Sequence, residues 1–218
     1  MNASEAMLNL NASREILPQP GPTRLPKNAV KEAHRLRLIR AMATVVAKAG
    51  YVSVSVADIV KEAKVSRRTF YELYKNKEDC FLDLIKLGSD ALLGQLEQSH
   101  LHNQLNEATL GEFIKNYLQL LSSEQDFARC ILIETFAAGQ RAIELRYEIT
   151  SNISQLMINM HESVAARHPN SIRPTPDIEL ITYAISSVLT KLIATNSFDQ
   201  LDQIHQRIMN FINANIRF

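Results

Sequence analysis

Tryptophan is absent from this sequence, cysteine occurs twice, and six glycines and seven prolines are spread through 218 residues. Two cysteines are too few for a disulfide scaffold. Cys80 and Cys130 each fall in an apolar, helix-patterned stretch and read as buried thiols of a reducing compartment. So little glycine and proline excludes a collagen-like or low-complexity chain and leaves most of it folded and helix-tolerant. No apolar run approaches the ~18 residues of a membrane span. The opening stretch MNASEAMLNLNASREILPQPGP has no basic region followed by an apolar one, so no secretory signal is expected. The Asn-x-Ser triplets at Asn2, Asn11 and Asn152 then carry no meaning, and the expected location is the cytoplasm, with the nucleoid. Also missing are a nucleophile elbow, a phosphate-binding glycine loop and zinc-ligand spacing. Glu97-Gln-Ser-His100 supplies Glu-x-x-His once where a di-iron bundle needs it twice, and His100-Leu-His102 lacks a clear third ligand. The expectation is no enzyme, no cofactor and no metal.

A net charge of +1 conceals an imbalance. Residues 1–77 hold fourteen Lys and Arg against six Asp and Glu, a surplus of eight positive charges; residues 78–218 hold ten against seventeen, a surplus of seven negative. A basic first third on an acidic body suggests that the first part meets a polyanion.

What is present is helical period. Residues 1–26, rich in Asn, Ser and Pro, read as a disordered arm. Leu36, Ile39, Met42, Ala43 and Val46 give one buried face to a helix from about Asn28 to Ala49, which Gly50 stops. Ser55 caps a short helix, Val56 to Ala63, with Asp58 at its positive end. Ser66 caps another, to about Tyr74, and Asn76 opens a fourth, to roughly Glu97. Thr109-Leu-Gly-Glu112 reads as a capping box before FIKNYLQLL. A helix after Ser123 runs to Gly139, and a long one from Gln140 to Ala166. Thr175-Pro176 opens the next, to Thr195, and a second capping box, Ser197–Gln200, opens the last. No strand and no internal repeat is evident. The fold class expected is all-α: a disordered arm 1–26, a three-helix part 27–77 and a helical body 78–218.

The stretch VADIVKEAKVSRRTFYELYKNKEDCF has helix, short turn and serine-capped second helix, the helix-turn-helix layout. Phe70 and Leu73 are expected to face back onto Ile39, Ile59 and Val60. That leaves Arg67, Arg68, Tyr71 and Glu72 pointing away. Arginine can bond guanine bidentately, and tyrosine can touch a thymine methyl or a phosphate. Ser66, Thr69 and Lys77 suit phosphate oxygens at the groove edge.

These residues resemble the DNA-binding domain of TetR-type transcriptional regulators. Gly50-Tyr51, the Ser55 cap, Val65-Ser66, Thr69-Phe70-Tyr71, Tyr74 and Lys77-Glu78 follow that family's pattern over about residues 31–85. The resemblance implies base-reading or groove-edge roles for Arg67, Arg68 and Tyr71, and backbone contacts from Ser55, Thr69, Tyr74 and Lys77. Lys64 stands where the family's turn usually has glycine, at a cost of about 1 kcal/mol. Ala57 stands where many relatives have a basic residue. The rest of the chain resembles the family only in being helical and of the right length.

The resemblance further implies that 27–77 is a helix-turn-helix DNA-binding domain and 78–218 an effector-binding and dimerisation domain, forming a homodimer through the last two helices, with Ala184, Ser186 and Ser187 permitting close approach. Two such modules would meet a palindromic double-stranded operator, and an unknown small molecule would release it. Phe113, Tyr117, Phe136, Tyr147, Met157 and Met160 are candidate pocket residues on the middle helices and suggest an apolar or aromatic effector. Rival readings are a ligand-dependent activator of the same fold, a metal- or small-molecule-binding helical bundle, and a helical adaptor. The adaptor leaves the basic first third unexplained.

Overall fold

A computed structural model describes residues 26–101, 107–165 and 177–215. The described residues form nine α-helices and no strand: α1 Lys27–Ala49, α2 Val56–Ala63, α3 Arg67–Tyr71, α4 Lys77–Leu101, α5 Glu107–Ser123, α6 Gln125–Leu132, α7 Gln140–Ala165, α8 Ile178–Ala194 and α9 Leu201–Asn215. Short 3-10 turns, Glu134–Ala137 and Phe198–Gln200, precede α7 and α9. The arm up to residue 25, and His102 with its segment, lie outside the described residues.

Two apolar cores result. The first gathers α1 to α4 around Leu38, Ile39, Met42, Ile59, Phe70 and Phe81, and it also takes in Phe127, Cys130, Ala138 and Ala142. The second lies among α5, α6, α8 and α9, with Leu118, Leu121, Leu189, Ile193 and Ile212 at its centre. Cys80 and Cys130 are free, buried thiols of the first core. Burial pushes both well above the usual thiol range, so neither is a nucleophile at neutral pH. Gly50 ends α1 at φ 78°, ψ 147°, a backbone region open almost only to glycine.

Several boundaries differ from the sequence reading. α3 stops at Tyr71 rather than Tyr74, because the N–H groups of Leu73 and Tyr74 both turn back to the Phe70 carbonyl. α5 already runs at Glu107, so Thr109–Glu112 lies inside a helix and is no cap. Ser123 ends α5, its hydroxyl donating to the Leu120 carbonyl. The helix expected up to Gly139 breaks at Ile133. Thr135 explains the break: its buried hydroxyl donates to the carbonyls of Cys130 and Ile131, at 3.0 and 2.9 Å, competing with the regular ladder. Asp177 caps α8, accepting from the Leu180 N–H at 2.9 Å; Thr175 and Pro176 fall outside the described residues. The Ser197–Gln200 box does not form. Ser197 makes no capping bond, and its hydroxyl sits 2.9 Å from that of Thr195.

Polar ties cross from the first three helices to the body. Asp83 on α4 accepts two bonds from Arg35 on α1, at 2.6 and 2.7 Å, and a third from the Tyr74 hydroxyl at 2.6 Å. The hydrogen bonds to Asp83 hold the Arg35 guanidinium firmly protonated. Arg141 on α7 donates to Glu78 and Asp79 on α4, both at 3.0 Å.

Candidate DNA-reading surface and the cavity behind it

The turn between α2 and α3 is built from short-range parts. Ser55 and Asp58 form a reciprocal capping box at the start of α2, and the serine's hydrogen bonds hold the Asp58 carboxyl below its usual range. Lys64 closes α2 in the left-handed conformation, φ 53° and ψ 45°. Arg37 reaches across from α1 to the carbonyls of Ala63 and Lys64, at 2.6 and 3.0 Å, satisfying the negative end of α2. That cap escaped the sequence reading because its partners are 26 and 27 residues away.

Ser66 then caps α3, accepting from the Thr69 N–H at 3.0 Å, with the two hydroxyls 2.8 Å apart. Phe70 is wholly buried against the first core, and Leu73 packs on it. Edge contacts from Tyr71 and Tyr74 to the Phe70 ring fix the helix's rotation. Ser66, Arg67, Arg68, Tyr71 and Glu72 are exposed, Tyr71 to 57%. Arg68 pairs with Glu72 at 2.9 Å in full solvent, a contact weak enough to give up to another anion.

Two expected backbone-holding residues are engaged inside the protein. Tyr74 is buried and its hydroxyl donates to Asp83; burial pushes its pKa far up. The Lys77 ammonium donates to the carbonyls of Tyr51 and Val54, both at 2.9 Å, and lies 4.3 Å from the centre of the Tyr51 ring. It also approaches the Val52 carbonyl, at 3.4 Å, so its three protons are spent on one turn. Neither group is presented outward beside Arg67 and Arg68.

Behind this surface, α4 to α9 enclose a cavity of about 140 Å³ with an overwhelmingly apolar lining. Phe113, Tyr117 and Met157 line it, as do Ile149, Ile153 and Leu189. Phe136 and Tyr147 do not line it and are about half exposed; the Met160 side chain lies outside the described residues. Gly88 makes room on α4, since a Cβ there would fall 1.7 Å from the Phe127 ring. Ser186, expected at a dimer surface, instead lines the cavity and accepts from Arg146 at 3.2 Å. Arg146 and Thr150 share the cavity-facing stripe of α7 with Ile153 and Met157. Their four- and three-residue spacing is legible in the sequence, but that Arg146 and Thr150 face the cavity is not. Among the described residues no group of acidic, histidine or cysteine side chains could hold a metal.

The broken helix joins cavity to reading surface. The Arg146 guanidinium donates to the Ile131 carbonyl at 2.6 Å and lies 5.0 Å from the Phe136 ring centre. Between these two, Glu134 accepts from the Tyr51 N–H at 2.8 Å, just past Gly50. Burial raises the Tyr51 pKa to about 12, so its phenol stays neutral under Lys77.

Residues 38–84 match the family model described as bacterial regulatory proteins, tetR family. The fatty acid metabolism regulator protein of Bacillus subtilis (strain 168) is 24% identical over 167 residues, covering 76% of this chain and 84% of its own. Among solved structures, a transcriptional regulator FadR from Bacillus subtilis, in complex with stearoyl-CoA, superposes with TM-score 0.69 at 19% identity, over 84% of this chain and 99% of that one. The fatty acid degradation regulator FadR from Bacillus halodurans gives 0.67 at 17%, over 83% and 98%. Salmonella enterica GusR gives 0.69 at 15%, over 89% and 99%. The braced helix-turn-helix thus lies where the tetR family model matches, and the helical body around the cavity shares the fold of these regulators.

Proposed function

We propose that this chain works as a homodimer on a palindromic DNA operator and represses by occupying it, until a fatty-acyl effector fills the cavity and releases it. The observation that carries the reading is the pairing of an outward α3, with Arg67, Arg68 and Tyr71 in solvent on a fully buried brace, and an apolar cavity in the same chain. Base contacts would come from Arg67, Arg68 and Tyr71, and phosphate contacts from Ser55, Ser66 and Thr69. Tyr74 and Lys77 act in this reading as positioning residues that hold α3 and the 51–54 turn.

A dimer sets two α3 helices one duplex turn apart, about 34–36 Å, which a single module cannot do. α8 and α9 carry exposed apolar residues suited to such a contact: Leu180, 66% exposed, Val188 and Phe211. Ala184 and Ser187 lie on the same side of α8 as Leu180 and Val188 by helical spacing. The alkyl-lined cavity fits a fatty chain, and the stearoyl-CoA held by the Bacillus subtilis relative favours that class over an aromatic one. Release would run through the 131–136 turn, where Glu134 holds Tyr51; an effector shifts the DNA equilibrium only by its differential affinity for the two states.

Selection of bound sites from random duplexes, followed by titration of the enriched site against salt, tests the reading. A twofold-symmetric site whose affinity falls steeply with salt and is lost on adding a fatty acyl compound is expected. Binding without sequence preference, or indifference of the complex to every acyl compound, would refute it.

A further inference from the structure

An alkyl chain alone does not account for Arg146. This cation lines the cavity from α7, yet its partners are all neutral: the Ile131 carbonyl, the hydroxyls of Ser186 and Thr190 at 3.2 and 3.3 Å, and the Phe136 ring. Among the described residues it forms no ion pair, whereas Arg35 and Arg141 each face two carboxylates. A desolvated cation is costly unless a charge compensates it, and burial drags the Arg146 pKa below the usual arginine value. Nearby, Tyr117 is half-buried and close enough for the Arg146 charge to act on it. Among the described residues its hydroxyl has no hydrogen-bond partner, although it lines the same cavity.

Three of the other cavity hydroxyls already donate elsewhere. Thr150 donates to the Arg146 carbonyl at 3.0 Å, Thr182 to Ile178 at 2.8 Å and Ser89 to Lys86 at 2.9 Å. The polar capacity left at this one place in an apolar chamber is therefore the Arg146 cation, the Tyr117 hydroxyl and the Ser186 hydroxyl that accepts from Arg146. A neutral ligand leaves the charge uncompensated, and a ligand anionic throughout leaves the rest of the lining unused.

We propose that the cavity takes a free carboxylic acid with an alkyl chain, its carboxylate bonded by Arg146 and Tyr117 and its chain lying along Ile149, Ile153 and Leu189. This deepens the effector reading above and rests on it. The carboxylate supplies the full negative charge that an ester or thioester carbonyl lacks, and a guanidinium fork matches it in two parallel bonds.

Calorimetric titration of the full chain with dodecanoate, dodecan-1-ol and dodecanoyl-CoA, each below its micelle concentration, separates the possibilities. Dodecanoate is expected to bind at least tenfold tighter than either of the others. Arg146→Met should bring dodecanoate down to the affinity of the alcohol, and Tyr117→Phe should weaken dodecanoate more than the alcohol. Equal binding of acid and alcohol by the native chain overturns the headgroup assignment and leaves the cavity as an effector site. A preference for the thioester also overturns it. Binding of none of the three overturns both. The native-chain comparison needs no variant to fold, and for Arg146→Met a retained thermal transition shows that the lost preference is not unfolding.

Discussion

The two apolar cores of this chain are built to opposite ends. Around α1 to α4, Leu38, Ile39, Met42, Ile59, Phe70 and Phe81 are sealed, and Asp83 with Arg35 and Tyr74 locks the helices by directed bonds. Around α5 to α9, the lining stands back from a cavity and carries a cation that has no counter-charge among the described residues. Close packing fixes where α3 points, and a helix that must meet base edges gains from being fixed. A hollow, imperfectly satisfied interior is the part able to gain free energy from a ligand. Under the proposed function the difference gives rigidity to reading and incompleteness to sensing, with the Glu134 clasp on Tyr51 between them.

Substitutions of added or removed volume bear on this contrast most strongly. Phe70→Ala, in the sealed core, should cost about 3–5 kcal/mol and abolish DNA binding by unfolding the reader; denaturant titration with and without duplex checks it. Adding volume should separate the two halves. Val46→Phe, at a fully buried site of α1, is expected to cost about 1–3 kcal/mol. Ile153→Phe, facing the cavity, should be neutral to within about 1 kcal/mol while blocking fatty-acid binding. Equal penalties at the two sites would break the comparison. Ser66→Ala removes the cap of α3 and should cost about 1 kcal/mol, seen as a lowered denaturation midpoint with an unchanged slope. The smallest effect is expected at Lys64→Gly, which relieves a left-handed lysine and should stabilise by about 0.5–1 kcal/mol.

Legibility in the sequence followed the range of the interactions. Ser55 and Ser66 were readable as caps because their partners, Asp58 and Thr69, are three residues on. The apolar spacing of α1 and α2 and the inward turn of Phe70 were readable for the same reason. The phosphate roles of Tyr74 and Lys77 rest on the family resemblance, and their partners inside the protein are not local: Asp83 lies nine residues from the first, and the Tyr51 and Val54 carbonyls lie 26 and 23 from the second. The break after α6 depends on Thr135 choosing two carbonyls over the helix ladder, which residue type alone does not decide. In the sequence Arg146 is one of many arginines. Only the fold shows that it faces a cavity and that its partners are neutral.

Binding of the selected operator and of a scrambled duplex by the native chain and by Arg67→Ala, compared at fixed salt, tests most directly whether α3 reads DNA. The account predicts that the native chain prefers the operator and that Arg67→Ala loses about 10- to 100-fold of that preference, the worth of one good base contact, while its affinity for the scrambled duplex falls little. An Arg67→Ala chain that keeps the full preference, or a native chain that has none, would contradict it.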